Sequence, residues 1–170
     1  MCFIEMKLQI QAVQIEEDIR TIHQLAWQIL LPFYKTYLPE AVIRAFLEKY
    51  LSQKAIKEQI NTGGEYYLLK IGQDIIGFLG IQCSDKELFL DKLYLLPASR
   101  GLGVGKSTME FVFQLAQKRA LDRISLYVYK DSMRTIAFYE SYGFEIKDFQ
   151  IFDFGDGLIS EDYKMEKTLR

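Results

Sequence analysis

Residues 100–108 read RGLGVGKST, with three glycines in five positions between an apolar run and an amphipathic one. A glycine-rich turn that opens a helix is built to receive an anion. No Cβ blocks the approach, and the first N–H groups of a helix have no acceptor of their own. This stretch therefore demands a strand, a tight turn and a helix in succession, inside a larger sheet.

Two familiar phosphate loops fail on spacing. The triphosphate loop G-x-x-x-x-G-K-[ST] needs glycine where this chain has Arg100. The dinucleotide pattern G-x-G-x-x-G needs glycine at 106 or 108, which are Lys106 and Thr108. What remains is R-x-x-G-x-G, carried by Arg100, Gly103 and Gly105.

The surrounding chain predicts the sheet. Alternation gives a strand over 7–13, and Glu16, Glu17 and Asp18 open a helix that runs to about residue 30. Helices over 40–50 and 53–61 follow, the latter stopped by Gly63 and Gly64. Strands over 66–71, 74–82 and 87–96 form an antiparallel block. After the glycine loop comes a helix with Phe111, Val112, Leu115 and Ala116 on one side. A strand over 124–129 and a helix over 132–141, capped by Ser132, come next. Strands over 144–152 and 158–167 end the chain. The expectation is a single α/β domain over 1–170, a mixed, mostly antiparallel sheet flanked by helices, with 1–6 as an extension, Met6 being the start that would leave Met1 to Glu5 outside the domain.

Composition removes several functions. The net charge is −2, so nucleic acid is not an expected partner. Cys2 and Cys83 make no disulfide framework and fit a reducing, cytoplasmic setting. With a single histidine, His23, a Ser-His-Asp relay has one place to go, and no metal site is expected. No basic leader precedes a long apolar run, and no run reaches the roughly 18 residues of a membrane helix.

A second motif lies downstream: 132–144 reads SMRTIAFYESYGF. Together, the two motifs resemble the GNAT superfamily of acetyl-CoA-dependent N-acetyltransferases. That family carries [Q/R]-x-x-G-x-[G/A] and, further on, N-x-x-A-x-x-F-Y-x-x-x-G-F. Phe138, Tyr139, Gly143 and Phe144 match, whereas Ser132 and Thr135 replace the usual Asn and Ala. The ending FDFGDGLISEDYKMEK and the segment LAWQILLPFYKTYL are similar to the bacterial spermidine/spermine (PaiA-like) branch.

The resemblance implies a GNAT-like fold with acetyl-CoA as cofactor. Its diphosphate would rest on Gly101, Leu102, Gly103, Val104, Gly105 and Lys106, with charge from Arg100 and Lys106. Its arm would run along Leu93, Tyr94 and Leu95, and Ser132 would reach it less well than Asn does. Tyr139 would be the general acid, because a phenol near pKa 10 stays protonated and can donate to the leaving sulfur. An alkyl ammonium is neutral in only roughly one part in 2,500 at pH 7, so a base is needed. Asp91, which alternates with Glu87 on one strand face, is the candidate, acting through water. Trp27, Tyr34 and Tyr37, with Asp153 and Asp156, are the expected surroundings of a small amine, a polyamine above all. Acetylation of a protein N-terminus or lysine is the alternative within the class. A non-catalytic acetyl-CoA sensor is the alternative outside it. The last strand would suit a homodimer.

Overall fold

The computed structural model describes residues 7–170. Cys2 and the expected extension before Met6 lie outside the described residues. The chain order is β1 (Leu8–Ala12), α1 (Glu16–Tyr34), α2 (Glu40–Leu51), α3 (Gln53–Asn61), β2 (Gly64–Ile71), β3 (Asp74–Cys83), β4 (Glu87–Leu95), α4 (Val104–Lys118), β5 (Arg123–Tyr129), α5 (Met133–Glu140), β6 (Glu145–Asp153) and β7 (Ile159–Thr168). A 3-10 turn at Pro97–Ser99 joins β4 to the glycine loop. The strands form one 7-stranded sheet in the order β1-β2-β3-β4-β5-β7-β6. Every pairing is antiparallel except β4 with β5.

Alternation along each strand divides the core in two. Tyr66, Leu68 and Phe78 face α1, α2 and α3, where Ile22, Leu47 and Ile56 are buried. Tyr67, Leu69 and Leu79 face the other way, toward Met109 and Val112 of α4 and Ile136 of α5. Each such side chain removed from water contributes about 1.5–3 kcal/mol before the ordering entropy is counted.

Helix α1 starts with the Asp18 carboxylate accepting the Gln14 and Ile15 N–H groups. It does not end before Pro32, as its sequence suggests, but carries Pro32 inside its last turns. A proline there removes one donor. The helix nevertheless runs on to Tyr34, whose ring packs on the inner core. That extra turn is what delivers Phe33 and Tyr34 to the centre of the molecule.

Two irregularities of β4 shape that centre. Lys92 pairs with Gly80 and Leu90 with Ile81, leaving Asp91 without a partner in the β3 register. This is a β-bulge, and the extra residue turns Asp91 and Lys92 to the same side of the sheet. In addition, β4 pairs with β5 only at Glu87, Leu88 and Phe89. Beyond Phe89 the two parallel strands diverge, and the β4 edge facing β5 has no ladder. The sheet is open there.

Candidate active site

The opening between β4 and β5 leads into a cavity of about 580 Å³ that reaches both faces of the sheet. Its wall includes Leu30, Phe33 and Tyr34 of α1 from one face, and Phe138 and Tyr139 of α5 from the other. Leu93, Tyr94 and Leu95 line it along the free β4 edge, as expected. Arg100, Gly101, Gly103, Gly105, Lys106 and Ser132 line it as well. Leu102 and Val104 do not. Leu102 is exposed and Val104 is buried in the core, so these two can offer only backbone. Arg134 and Phe33 are wall residues that the sequence did not single out, and Thr135 and Phe138, named there only as motif positions, line it too.

The loop has the conformation its glycines permit. Gly101 and Gly103 have φ of 78° and 76°, in the left-handed region. A Cβ on either would meet nothing within 4 Å, so that side of the backbone is clear. Gly103 is the N-cap of α4, and the helix presents unused N–H groups beyond it. Gly105 has a different reason: a Cβ there would stand 3.2 Å from Phe138 Cζ. It lets α4 and α5 close on each other.

Ser132 departs from expectation. It occupies the N-cap of α5, but its side chain makes no cap hydrogen bond. Its φ of −80° and ψ of 65° are not the extended values from which a serine reaches the next turn's N–H groups. The residue is 2% exposed, and its Oγ has no protein partner among the described residues. A buried hydroxyl left without a partner at a cavity wall marks a place where a ligand supplies one.

Arg100 lies over the Phe33 ring at 5.0 Å and donates to the Leu95 carbonyl at 3.3 Å. Among the described residues, neither it nor Lys106 nor Arg134 is in an ion pair with a carboxylate. Three free cations, an open glycine backbone and an orphaned hydroxyl fit a long ligand that carries a diphosphate.

Tyr139 is 7% exposed. Burial first, and the neighbouring Tyr34 second, push its phenol well above its ordinary 10.0, so it holds its proton throughout the neutral range. Burial, with the Asp162 carboxylate next, pushes Tyr34 up to about 12. Tyr94 is raised too, chiefly by burial.

A second cavity of about 240 Å³ adjoins the first and shares Leu30, Tyr34 and Tyr94 with it. Its wall is largely aromatic, with Phe46, Tyr50, Phe89, Tyr127, Tyr129, Phe152 and Phe154 among its residues. Its charged residues are Asp91, Lys92 and Asp162. Asp91 Oδ2 stands 2.5 Å from Lys92 Nζ. Asp162 has no cationic partner among the described residues and accepts a hydrogen bond from Ser160 at 2.6 Å. Burial raises its carboxyl above the ordinary value, and the Ser160 bond opposes the rise.

Several expected surroundings lie elsewhere. Trp27 packs under the Arg44 guanidinium, 5.2 Å away. Asp153 accepts from the Gly155 N–H in the exposed β6–β7 turn, where Asp156 has φ of 54°. Glu87 is tied to Arg123 at 2.9 Å and to Ser125. Of the predicted aromatics, Tyr34 lines both cavities and Tyr37 lines the larger. Asp162, rather than the turn acids Asp153 and Asp156, lines the smaller cavity. Its position is set by pairing with Tyr129 on one side and Gln150 on the other. The signal for Asp91 and Lys92 was present: two consecutive charges break the alternation of ELFLDKLYL.

The acetyltransferase (GNAT) family profile matches residues 19–144. The chain belongs to this family. It is an acetyltransferase, with the mixed sheet and the acetyl-CoA donor expected from the sequence. A spermidine N(1)-acetyltransferase of Thermoplasma acidophilum is 25% identical over 154 residues, 88% of this chain and 95% of that one. The crystal structure of the PaiA N-acetyltransferase from Thermoplasma acidophilum, in complex with coenzyme A, has the same fold. Its TM-score is 0.77 at 22% identity, covering 96% of this chain and 99% of that one. The ribosomal-protein-S18-alanine N-acetyltransferase from Escherichia coli matches with a TM-score of 0.73 at 16% identity, over 96% and 94% of the two chains.

Proposed function

We propose that this GNAT enzyme acetylates the primary amine of a small molecule by direct transfer, and that a polyamine such as spermidine or spermine is the first acceptor to consider. One observation carries the reading: a cavity fit for acetyl-CoA and an aromatic, carboxylate-bearing cavity share the wall Leu30, Tyr34 and Tyr94. Kinship with a spermidine acetyltransferase supports the polyamine.

Bound acetyl-CoA supplies an activated acetyl thioester. The loop backbone over 101–106 binds its diphosphate, with Arg100, Lys106 and Arg134 neutralising charge. The Ser132 Oγ pairs with its arm. The free β4 edge over 93–95 holds the acetyl end and offers N–H groups to the carbonyl oxygen. The buried Tyr139 phenol donates its proton at the sulfur. In the second cavity Asp162 and Asp91 are the two carboxylates able to attract the ammonium and take its proton through water. Asp162 comes first, because Lys92 already holds Asp91.

A protein N-terminus needs an open groove for the following residues, which this aromatic chamber does not favour. A sensor would leave the chamber without a role. Surface features add two inferences. The last strand β7, expected to suit a homodimer, lies between β5 and β6 and has no free edge. The outermost strand β6 instead exposes Ile146, Phe149 and Ile151 and suits a second copy of the chain, so light scattering should give a dimer mass, and a monomer mass overturns this. A reducing, cytoplasmic setting fits the free thiol of Cys83, and no helix of the described residues is long and apolar enough to cross a membrane.

The test is a panel of spermidine, spermine, a diamine, an aminoglycoside, a lysine peptide and an N-terminal alanine peptide, with acetylated product identified by mass. Product with the small amines alone is expected. Product with the peptides alone overturns the reading.

A further inference from the structure

Lys92 is 3% exposed, yet it projects into the acceptor cavity rather than to solvent. Its ammonium sits 2.5 Å from Asp91 and 5.7 Å from the Tyr50 ring centre. A carboxylate and an aromatic face are the two groups that together recognise an alkyl ammonium. The bulge at Asp91 makes this arrangement, because it puts the lysine and its own counter-ion on one side of the strand. At the other charged residue of the chamber, Asp162, no protein cation is present among the described residues.

We propose that Lys92 is a specificity-determining residue. Its ammonium fills, from within the protein, a subsite that a second ammonium of the acceptor would otherwise take. The chamber then offers one uncompensated carboxylate, Asp162, and selects acceptors whose enclosed part carries a single positive charge on an apolar frame. A second ammonium driven into this chamber would meet the like charge of Lys92 and lose its hydration without a free carboxylate to pair with. A polyamine remains an acceptor as long as only its reacting end is enclosed and its other charges stay at the mouth. This rests on the smaller cavity being the acceptor site.

The experiment compares kcat/KM for an alkyl monoamine and for the α,ω-diamine of the same length. The wild-type enzyme should prefer the monoamine. Lys92→Met frees Asp91 and should raise the diamine-to-monoamine ratio roughly tenfold, the scale of one charge-assisted contact. Lys92→Arg keeps the charge and should leave the ratio near that of the wild type. Lys92→Met/Asp91→Asn removes both charges and should return the ratio toward the wild-type value, which also covers the event that the single variant folds poorly. Acetyl-CoA affinity, measured by calorimetry, should be equal in all four proteins. A ratio unmoved by Lys92→Met overturns the proposal while leaving the acetyl transfer intact. The absence of transfer to every amine would instead overturn the functional reading on which it rests.

Discussion

Tyr139 is buried and Asp162 half-buried, and desolvation is the largest cause of the upward shift in each. The phenol is pushed up and keeps its proton through the neutral range, which is the state the proposed general acid needs. Tyr139→Phe should lower kcat by about 10²–10⁴, the range for a lost general acid, with acetyl-CoA affinity unchanged by calorimetry. An equal loss of affinity would make Tyr139 a packing residue. Asp162 has a raised carboxyl, and this has a consequence for stability. Between its ordinary 3.8 and its higher folded value, the folded chain binds the proton more tightly than the unfolded one. Stability therefore falls as pH rises through that window, and the penalty is fully present only above the folded value. Asp162→Asn should raise Tm at pH 7, raise it less at acid pH, and depress amine-dependent turnover. A lower Tm at pH 7 would show that the carboxylate is a structural partner. Tyr139's place on the cavity wall was legible through the resemblance of FYESYGF to the family motif. Asp162 was not, because nothing in ISEDYKMEK tells which acid faces a cavity until β7 is placed between β5 and β6.

Elements were easier to read than their ends. The glycine loop, α4 and the strands around them follow from alternation and turn residues. The long α1 did not, because a proline normally argues for a stop, while the packing of the last turn carries the helix past Pro32. The β4–β5 divergence was also hidden: each strand reads as regular, and only the register shows pairing that ends at Phe89. The loop itself gives a sharp test. Gly103→Ala places a Cβ on backbone at φ 76° and should destabilise the fold by about 1–2 kcal/mol in urea denaturation. It should also weaken acetyl-CoA binding. Unchanged affinity would remove the loop from the cofactor site. At Gly77 the difficulty is space: a Cβ would lie 2.3 Å from the Tyr94 carbonyl oxygen, against backbone that cannot yield. Gly77→Ala should therefore lower Tm sharply and displace the strand that bears Tyr94.

At the scale of the molecule, two helical layers close on a sheet that is open at one seam, and the seam lets residues of both layers meet. Tyr34 comes from one layer and Tyr139 from the other, and both line one cavity. The smaller cavity shares Leu30, Tyr34 and Tyr94 with the larger, so the proposed function has donor and acceptor held together rather than in turn. This arrangement fixes a kinetic signature. Initial rates of thiol release, measured while acetyl-CoA and an amine are varied together, should give intersecting double-reciprocal lines, the mark of a ternary complex. Parallel lines, the mark of an acetylated enzyme released before the amine binds, would contradict direct transfer across the Tyr34–Tyr94 wall.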